Sequence, residues 1–159
     1  LLNKTNLNTN FINNVKTTWS NKIATTKWKI VGGTFDNIAG TTVATTYKNE
    51  IVLSSIIYNA KVGLMYVSDY GYATLSSYWN KNLNNYVDET INWMYMGLDE
   101  WTITPQTSDT KSVFYIFSRG SVFGNHAVYR VAVRPVFYLE SSVTYAGGSG
   151  TSSEPFIIN

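Results

Sequence analysis

The sequence predicts an α+β fold in a single domain spanning residues 1–159, on three observations. Apolar residues at the start of the chain recur at helical spacing. The second half instead alternates polar and apolar residues and is punctuated by glycine and proline, the pattern of short antiparallel strands. Helices first and strands later is the order of an α+β domain, and 159 residues with 44% hydrophobic content suffice to bury a core.

Leu7, Phe11, Ile12, Val15, Trp19 and Ile23 form one apolar stripe of 3.6-residue period, which predicts a first helix capped by Asn8 or Asn10 and weakened at Thr25-Thr26. Residues 27–31 alternate as a strand stopped by Gly32-Gly33, and residues 34–41 read as loop. Val43, Tyr47 and Ile51, four apart, predict a weaker helix over 43–52. Residues 61–67 read as a strand, after which Ser68-Asp69 caps a helical turn through Ala73. Residues 76–86 form a polar loop pinned by Tyr78, Trp79 and Tyr86. Ile91, Met94 and Tyr95 predict a brief helix over 88–96. Residues 101–104 alternate as a strand ended by Pro105. Strands over 112–118 and 128–139 are separated by Arg119-Gly120 and Phe123-Gly124-Asn125, and Pro135 places the second at an edge or bulge. Residues 147–150 make a turn and 155–158 a short closing strand.

Composition narrows the function. Charged residues are 14%, well below the usual quarter, and the polar character comes from 17 Asn, 19 Thr and 15 Ser. With 12 Tyr and 5 Trp this is the composition of a recognition surface rather than of a metabolic enzyme. A net charge of +2 is too small and too scattered for a nucleic-acid binder. With no cysteine and a single histidine, disulfides, thiolate nucleophiles, zinc fingers and two-histidine metal sites are excluded. No apolar run reaches the roughly 18 residues of a membrane span, so no membrane insertion is expected. A chain that opens Leu1-Leu2 is expected to be part of a longer protein, with any signal or anchor outside it.

Catalytic signatures are poor. His126 lies near Ser118 and Ser121 without a Gly-x-Ser-x-Gly elbow and reads as an exposed loop histidine. Asp88-Glu89 and Asp99-Glu100 are adjacent pairs whose members point to opposite faces of a strand, so both read as solvated charge rather than a two-carboxylate site. Gly32-Gly33 and Gly147-Gly148-Ser149-Gly150 lack the strand–loop–helix setting of a phosphate cradle. Asp69, Asp88, Asp99 and Asp109 are isolated, with no calcium-loop spacing. The expectation is no catalytic residue, no metal and no cofactor.

The informative stretch is 106–131. Gln106, Thr107, Ser108, Asp109, Lys111, Ser112, Tyr115, Arg119, Ser121, Phe123, Asn125, His126, Tyr129 and Arg130 are the candidate ligand contacts. Tyrosine gives broad amphipathic contact at low entropic cost, while Ser, Asn and Arg supply adaptable hydrogen bonds. Val113, Tyr115 and Phe117 fall on one face of a strand and Phe114 and Ile116 on the other, so one face belongs to the core.

Several motifs in order carry a family resemblance: residues 64–73 (LMYVSDYGYA), 92–97 (NWMYMG), 100–104 (EWTIT), 133–139 (VRPVFYL) and 148–156 (GSGTSSEPF). The series resembles bacterial surface proteins, many with pilin-like N-termini, whose C-terminal domain ends in a V-R-P strand. The match is closest over 61–159. The resemblance implies a C-type-lectin-like fold, a small twisted antiparallel sheet with two helices and long irregular loops. It is also similar to the variable proteins of diversity-generating retroelements, which would place a hypervariable face within 106–131. The sugar-binding tripeptides of true C-type lectins are missing: Trp79-Asn80 is followed by Lys81 and Glu154-Pro155 by Phe156. The lectin disulfides are missing too, leaving Trp19, Trp28, Trp93 and Trp101 to hold the domain. Arg134 is expected to be paired and partly buried. The resemblance thus implies an adhesin-like, non-enzymatic domain at the cell surface or outside the cell that binds a protein or glycan on a cell or host surface. The alternative is a pilus or surface-protein subunit whose aromatic loops pack against neighbouring subunits.

Overall fold

The computed structural model describes residues 2–87 and 92–159. In chain order, a π-type helical segment Leu2–Phe11 runs into two single turns, α1 (Ile12–Asn14) and α2 (Thr17–Ser20), followed by β1 (Thr26–Lys29), α3 (Phe35–Ile38) and α4 (Val43–Tyr47). A π-type turn Lys48–Val52 leads to β2 (Ile57–Ala60), β3 (Val62–Gly63) and α5 (Val67–Tyr72). Two 3₁₀ turns, Ser76–Tyr78 and Leu83–Asn85, precede β4 (Glu100–Pro105), β5 (Ser112–Ile116), β6 (Val122–His126), β7 (Val136–Phe137), β8 (Tyr145–Gly147) and β9 (Ile157–Ile158). The class is α+β, with short helices and small antiparallel sheets. The chain gathers into two compact units, Lys27–Asn59 with Gly63–Val136, and Leu1–Thr26 with Ala60–Val62 and Phe137–Asn159.

The larger unit is built on the meander β4-β5-β6. Alternation on β5 buries Ser112, Phe114 and Ile116 and leaves Val113 and Tyr115 half-buried. Phe114, Ile116 and Val122 pack with Ile38 and Ala39 of the α3 region, Val43 of α4, Val67 and Tyr70 of α5, and Leu83 and Tyr86. Gly71 lets α5 approach closely, since a Cβ there would stand 2.6 Å from Val43 and 2.7 Å from Leu83. The free edge of β4 is covered by other backbone. Ala132 accepts the Trp101 N–H at 3.0 Å, Met65 accepts the Ile103 N–H at 2.9 Å, and the Pro105 carbonyl accepts the Gly33 N–H at 3.2 Å. Pro105, which has no N–H to give, therefore ends a strand whose edge is occupied. β1 and β2 form a separate two-stranded ribbon. Its Trp28 is fully buried and lies so close to Gly63 that a Cβ there would meet the indole at 2.8 Å.

In the smaller unit the Asn8 side chain serves as a strand partner. Its amide donates to the Val62 carbonyl at 2.7 Å and its oxygen accepts the Val62 N–H at 2.9 Å. Ile23 bridges Leu139 in antiparallel fashion, and β8 pairs with β9 across a turn that holds Gly148 and Gly150 at positive φ.

Several sequence expectations are corrected. The long first helix is interrupted at Val15, whose ψ of 129° is extended. Asn3, Asn6, Asn8, Asn10, Asn13 and Asn14 crowd this stretch, and asparagine competes with the helix by bonding backbone itself, as Asn14 does to the Asn10 carbonyl at 2.7 Å. Residues 34–41 are not all loop but contain α3. The strand expected over 61–67 shrinks to Val62–Gly63 because α5 already begins at Val67. That helix starts after Tyr66, whose N–H donates to the Asp69 carboxylate at 2.9 Å, so Asp69 closes the cap from inside the helix rather than forming it. The polar loop at 76–86 carries two 3₁₀ turns. The strand expected over 128–139 reduces to Val136–Phe137 and isolated bridges at Ala132 and Leu139, since Pro135 removes a donor and residues 128–130 stand exposed. Trp28 and Trp101 are buried as expected, but Trp19 is 47% exposed and Trp93 81% exposed, so neither is core. The helix expected over 88–96 lies partly outside the described residues and the pair Asp88-Glu89 wholly so, and residues 92–96 form a turn without a helix.

Candidate functional site

Residues 106–131 make the outer half of the meander: the turn after β4, strands β5 and β6, the turn between them and the segment beyond β6. Asp109 organises the first turn. Its carboxylate accepts the Lys111 N–H at 3.0 Å and the Ser112 hydroxyl at 2.7 Å, and its carbonyl accepts the Ser112 N–H at 3.0 Å. His126 Nε2 lies 3.0 Å from the same carboxylate. The Lys111 N–H, then Ser112 and His126, hold the Asp109 carboxyl below the usual range. Asp109 is thus not isolated, and His126, expected as an unpartnered loop histidine, is an exposed residue with an acidic partner.

The second turn, 117–121, closes on two backbone hydrogen bonds, Phe117 N–H to Ser121 and Gly120 N–H to Phe117, each 2.7 Å. Gly120 sits at φ +94°, where a side chain would be strained, and its carbonyl accepts the Tyr70 hydroxyl at 2.7 Å. The turn is therefore pinned from the core side while Arg119 projects outward. Ser118, at the turn's start, donates its N–H to the Asp99 carboxylate at 2.7 Å, and its carbonyl accepts the Tyr95 hydroxyl at 2.6 Å.

Two candidate contacts are corrected. Ser112 and Ser121 are buried. Ser112 shares the inward parity of Phe114 and Ile116, and Ser121 is held by the hairpin bond it accepts. The others remain accessible in differing degree. Thr107, Ser108, Lys111, Arg119, Phe123, His126, Tyr129 and Arg130 are exposed, while Gln106, Asp109, Tyr115 and Asn125 are half-buried. Gln106 donates to the Ser108 hydroxyl at 2.9 Å and lies over Gly124, where a Cβ would meet its amide oxygen at 1.9 Å. Among the described residues Lys111, Arg119 and Arg130 have no ion-pair partner, which leaves this face net positive.

Register places Trp101, Tyr115 and Phe123 side by side across the three strands. The Trp101 and Tyr115 rings meet edge-on at 5.9 Å. Phe117 joins Tyr115 at 6.4 Å and Phe123 at 6.3 Å, and Phe35 of α3 stacks on Phe123 at 6.2 Å. Exposure rises along the row, from Trp101 at 6% to Phe123 at 37%. Sequence reasoning puts Phe117 on the face of Tyr115 but misses Phe35 and Trp101 as members of this row. The signal was available once 117–121 is read as a five-residue hairpin, because that turn fixes the register of Tyr115 opposite Phe123.

Two acidic residues were also misjudged. Glu100 is buried rather than solvated. The Arg134 guanidinium grips its carboxylate with two donors, one at 2.6 Å, and reaches the Met94 carbonyl at 2.8 Å, so Arg134 is a paired scaffold residue as expected. Glu50 was overlooked. It is fully buried, and its carboxylate accepts the Val67 N–H at 3.0 Å, the Ser68 N–H at 2.9 Å and the Thr104 hydroxyl. Burial pushes its pKa up to about 7 against those hydrogen bonds. Val43, Thr46 and Glu50, spaced three and four apart, share the buried face, and that spacing was the readable signal. Glu50 ties α5 to β4 and faces no solvent, so it serves the scaffold.

Among the described residues no group of three or more His, Asp or Glu could hold a metal ion, and no helix is long and apolar enough to cross a membrane. No family model, curated protein or solved structure matches the chain.

Proposed function

We propose that the chain is a non-enzymatic ligand-binding domain of C-type-lectin-like fold, displayed on or outside a bacterial cell. In this reading it resembles the variable proteins of diversity-generating retroelements and binds a protein or glycan through the face made by residues 106–131. The observation that carries the reading is the aromatic row Tyr115-Phe117-Phe123, rising toward solvent in a stretch whose Lys111, Arg119 and Arg130 have no ion-pair partner among the described residues. Rigid rings ringed by adaptable polar and guanidinium groups are the make-up of recognition surfaces. The backbone of both turns is held by Asp109, Gly120 and core tyrosines, so the projecting side chains are free to differ without cost to the turn.

The test is paired. A triple variant with Arg119→Ala, Tyr129→Ser and Arg130→Ala is compared with the parent on a glycan array and on intact bacterial and host cells. The reading expects loss of retention with melting unchanged. A reverse transcriptase and a near-identical repeat beside the gene would support diversification. Retention that survives the triple substitution, or hydrolysis that depends on His126, overturns it.

A second reading, a pilus or surface-protein subunit, is favoured by rings outside this face. Tyr47, Tyr72 and Trp79 meet edge-on at 6.3 and 5.1 Å, each about two-fifths exposed.

A further inference from the structure

The smaller unit contains a half-open cavity of about 280 Å³. It is lined by Phe11, Val15, Trp19 and Ile23, four residues apart in sequence, and by Phe137 and Leu139, the latter bridged to Ile23. The wall is almost entirely carbon. Water finds no hydrogen-bond partner on such a wall, and apolar cavities of smaller size already take up hydrocarbon guests. Trp19, Phe137 and Leu139 are each more than two-fifths exposed, so the apolar surface is continuous with the mouth and not sealed by this chain. At the size given, the cavity sits at the small end of ligand pockets and suits one short tail rather than a folded partner.

One charge borders it. Lys22 lines the cavity through its methylene stem, as a lysine does when its head stays in water. Its main chain is fixed on both sides, the N–H donating to the Trp19 carbonyl at 2.9 Å and the carbonyl accepting the Glu140 N–H at 2.8 Å. Among the described residues the Lys22 ammonium has no ion-pair or hydrogen-bond partner. A positive group tethered at the rim of a carbon-lined cavity selects a guest with one apolar tail and one negative head.

We propose that this cavity binds a single-tailed amphiphilic carboxylate, the tail between Trp19 and Phe137 and the carboxylate on the Lys22 ammonium. The site is independent of the 106–131 face, so either can fail alone.

The probe is decanoate, titrated below its micellar concentration into the full chain and followed by calorimetry and tryptophan fluorescence. Decanol and decyltrimethylammonium serve as head-group controls. The expected result is saturable one-to-one binding in which decanoate exceeds decyltrimethylammonium by about tenfold or more. Lys22→Met should weaken decanoate about tenfold and leave decanol unchanged, a split that unfolding would not produce. Val15→Trp, which fills the cavity, should abolish both. The proposal is overturned by absence of saturable binding, by Lys22→Met leaving decanoate affinity intact, or by a folded Val15→Trp variant that still binds. A dimer that decanoate does not dissociate would assign the cavity to a second copy. Retention on phosphatidylglycerol vesicles without binding of monomeric decanoate would assign it to a bilayer. Either of those also overturns it.

Discussion

Strand β5 presents two faces with different work. Phe114 and Ile116, on the inner face, are sealed against α5 and the 3₁₀ turn at Leu83–Asn85, whereas Tyr115, between them in sequence, is half-buried in the outer aromatic row. The outer row is itself graded, closed at Trp101 and open at Phe123. The inner face supplies the burial that folds the unit. The outer face gains less from folding, so its residue types are set less by the core. The turns at each end follow the same division, with their backbones anchored by Asp109 and Tyr70 and their side chains directed outward.

The largest effect should separate those faces on one strand. Phe114→Ala should cost about 3–5 kcal/mol, the usual loss for a sealed phenylalanine. Tyr115→Ala should cost about 1–2 kcal/mol, since it forfeits partial burial and edge-on ring contacts. Urea midpoints at constant m give both values, and equal costs would erase the distinction between inner and outer faces. Arg134→Ala belongs with Phe114, at about 3–5 kcal/mol, because it strands the buried Glu100 carboxylate without its partner. Arg134→Lys should recover only part of this, lacking the two-pronged grip on the carboxylate.

The next effect concerns the inner side alone and is read by pH. Glu50 has its pKa raised from 4.5 to about 7 by burial. Below 4.5 folded and unfolded chains both hold its proton, so the contribution is fully present there. Between about 4.5 and about 7 only the folded chain keeps the proton, and stability falls as pH rises, by about 3 kcal/mol in all. Above pH 7 the curve should be flat. Glu50→Gln should remove most of this slope, and what remains belongs to Asp69, whose pKa burial also raises. Urea midpoints from pH 4.5 to 8 decide it, and a parent curve that rises over this window contradicts the assignment.

What the sequence made legible follows from how local each cause is. The α+β class and the β4 and β5 strands rest on periodicity and short-range pattern, which act within a few residues, whereas the core role of Trp28 and Trp101 and the pairing of Arg134 are expectations that the family resemblance implies. Trp93 was misplaced because its exposure is decided by Asn92. That side chain turns inward to donate to the Tyr70 carbonyl at 2.8 Å and accept the Met94 N–H at 2.9 Å, leaving Trp93 outside. Glu50 was missed because its three donors come from Val67, Ser68 and Thr104, far along the chain. The candidate face was legible as a composition. Its division into buried Ser112 and Ser121 and exposed neighbours needed the hairpin register, which no single residue announces.

The smallest expected change in stability is on the outer tips, and it tests the division most directly. Ser108, Lys111, Arg119 and Arg130 are exposed, and among the described residues no ion pair holds their cations. Replaced singly by alanine, each should move stability by no more than about 0.5 kcal/mol, and Trp93→Ala, at 81% exposure, should do the same. Ser112 and Ser121 lie in the same stretch of sequence but are buried, so Ser112→Leu or Ser121→Leu should overpack and cost about 1–3 kcal/mol. A melting scan across 106–131 should therefore be flat at the tips and notched at these two serines. If the tips unfold the domain as severely as the serines do, the outer face is part of the core's support. The subunit reading would then displace the display reading. If the scan is flat at the tips and binding to the glycan array or cells is lost there, folding and recognition are carried by separate residues of the same strands.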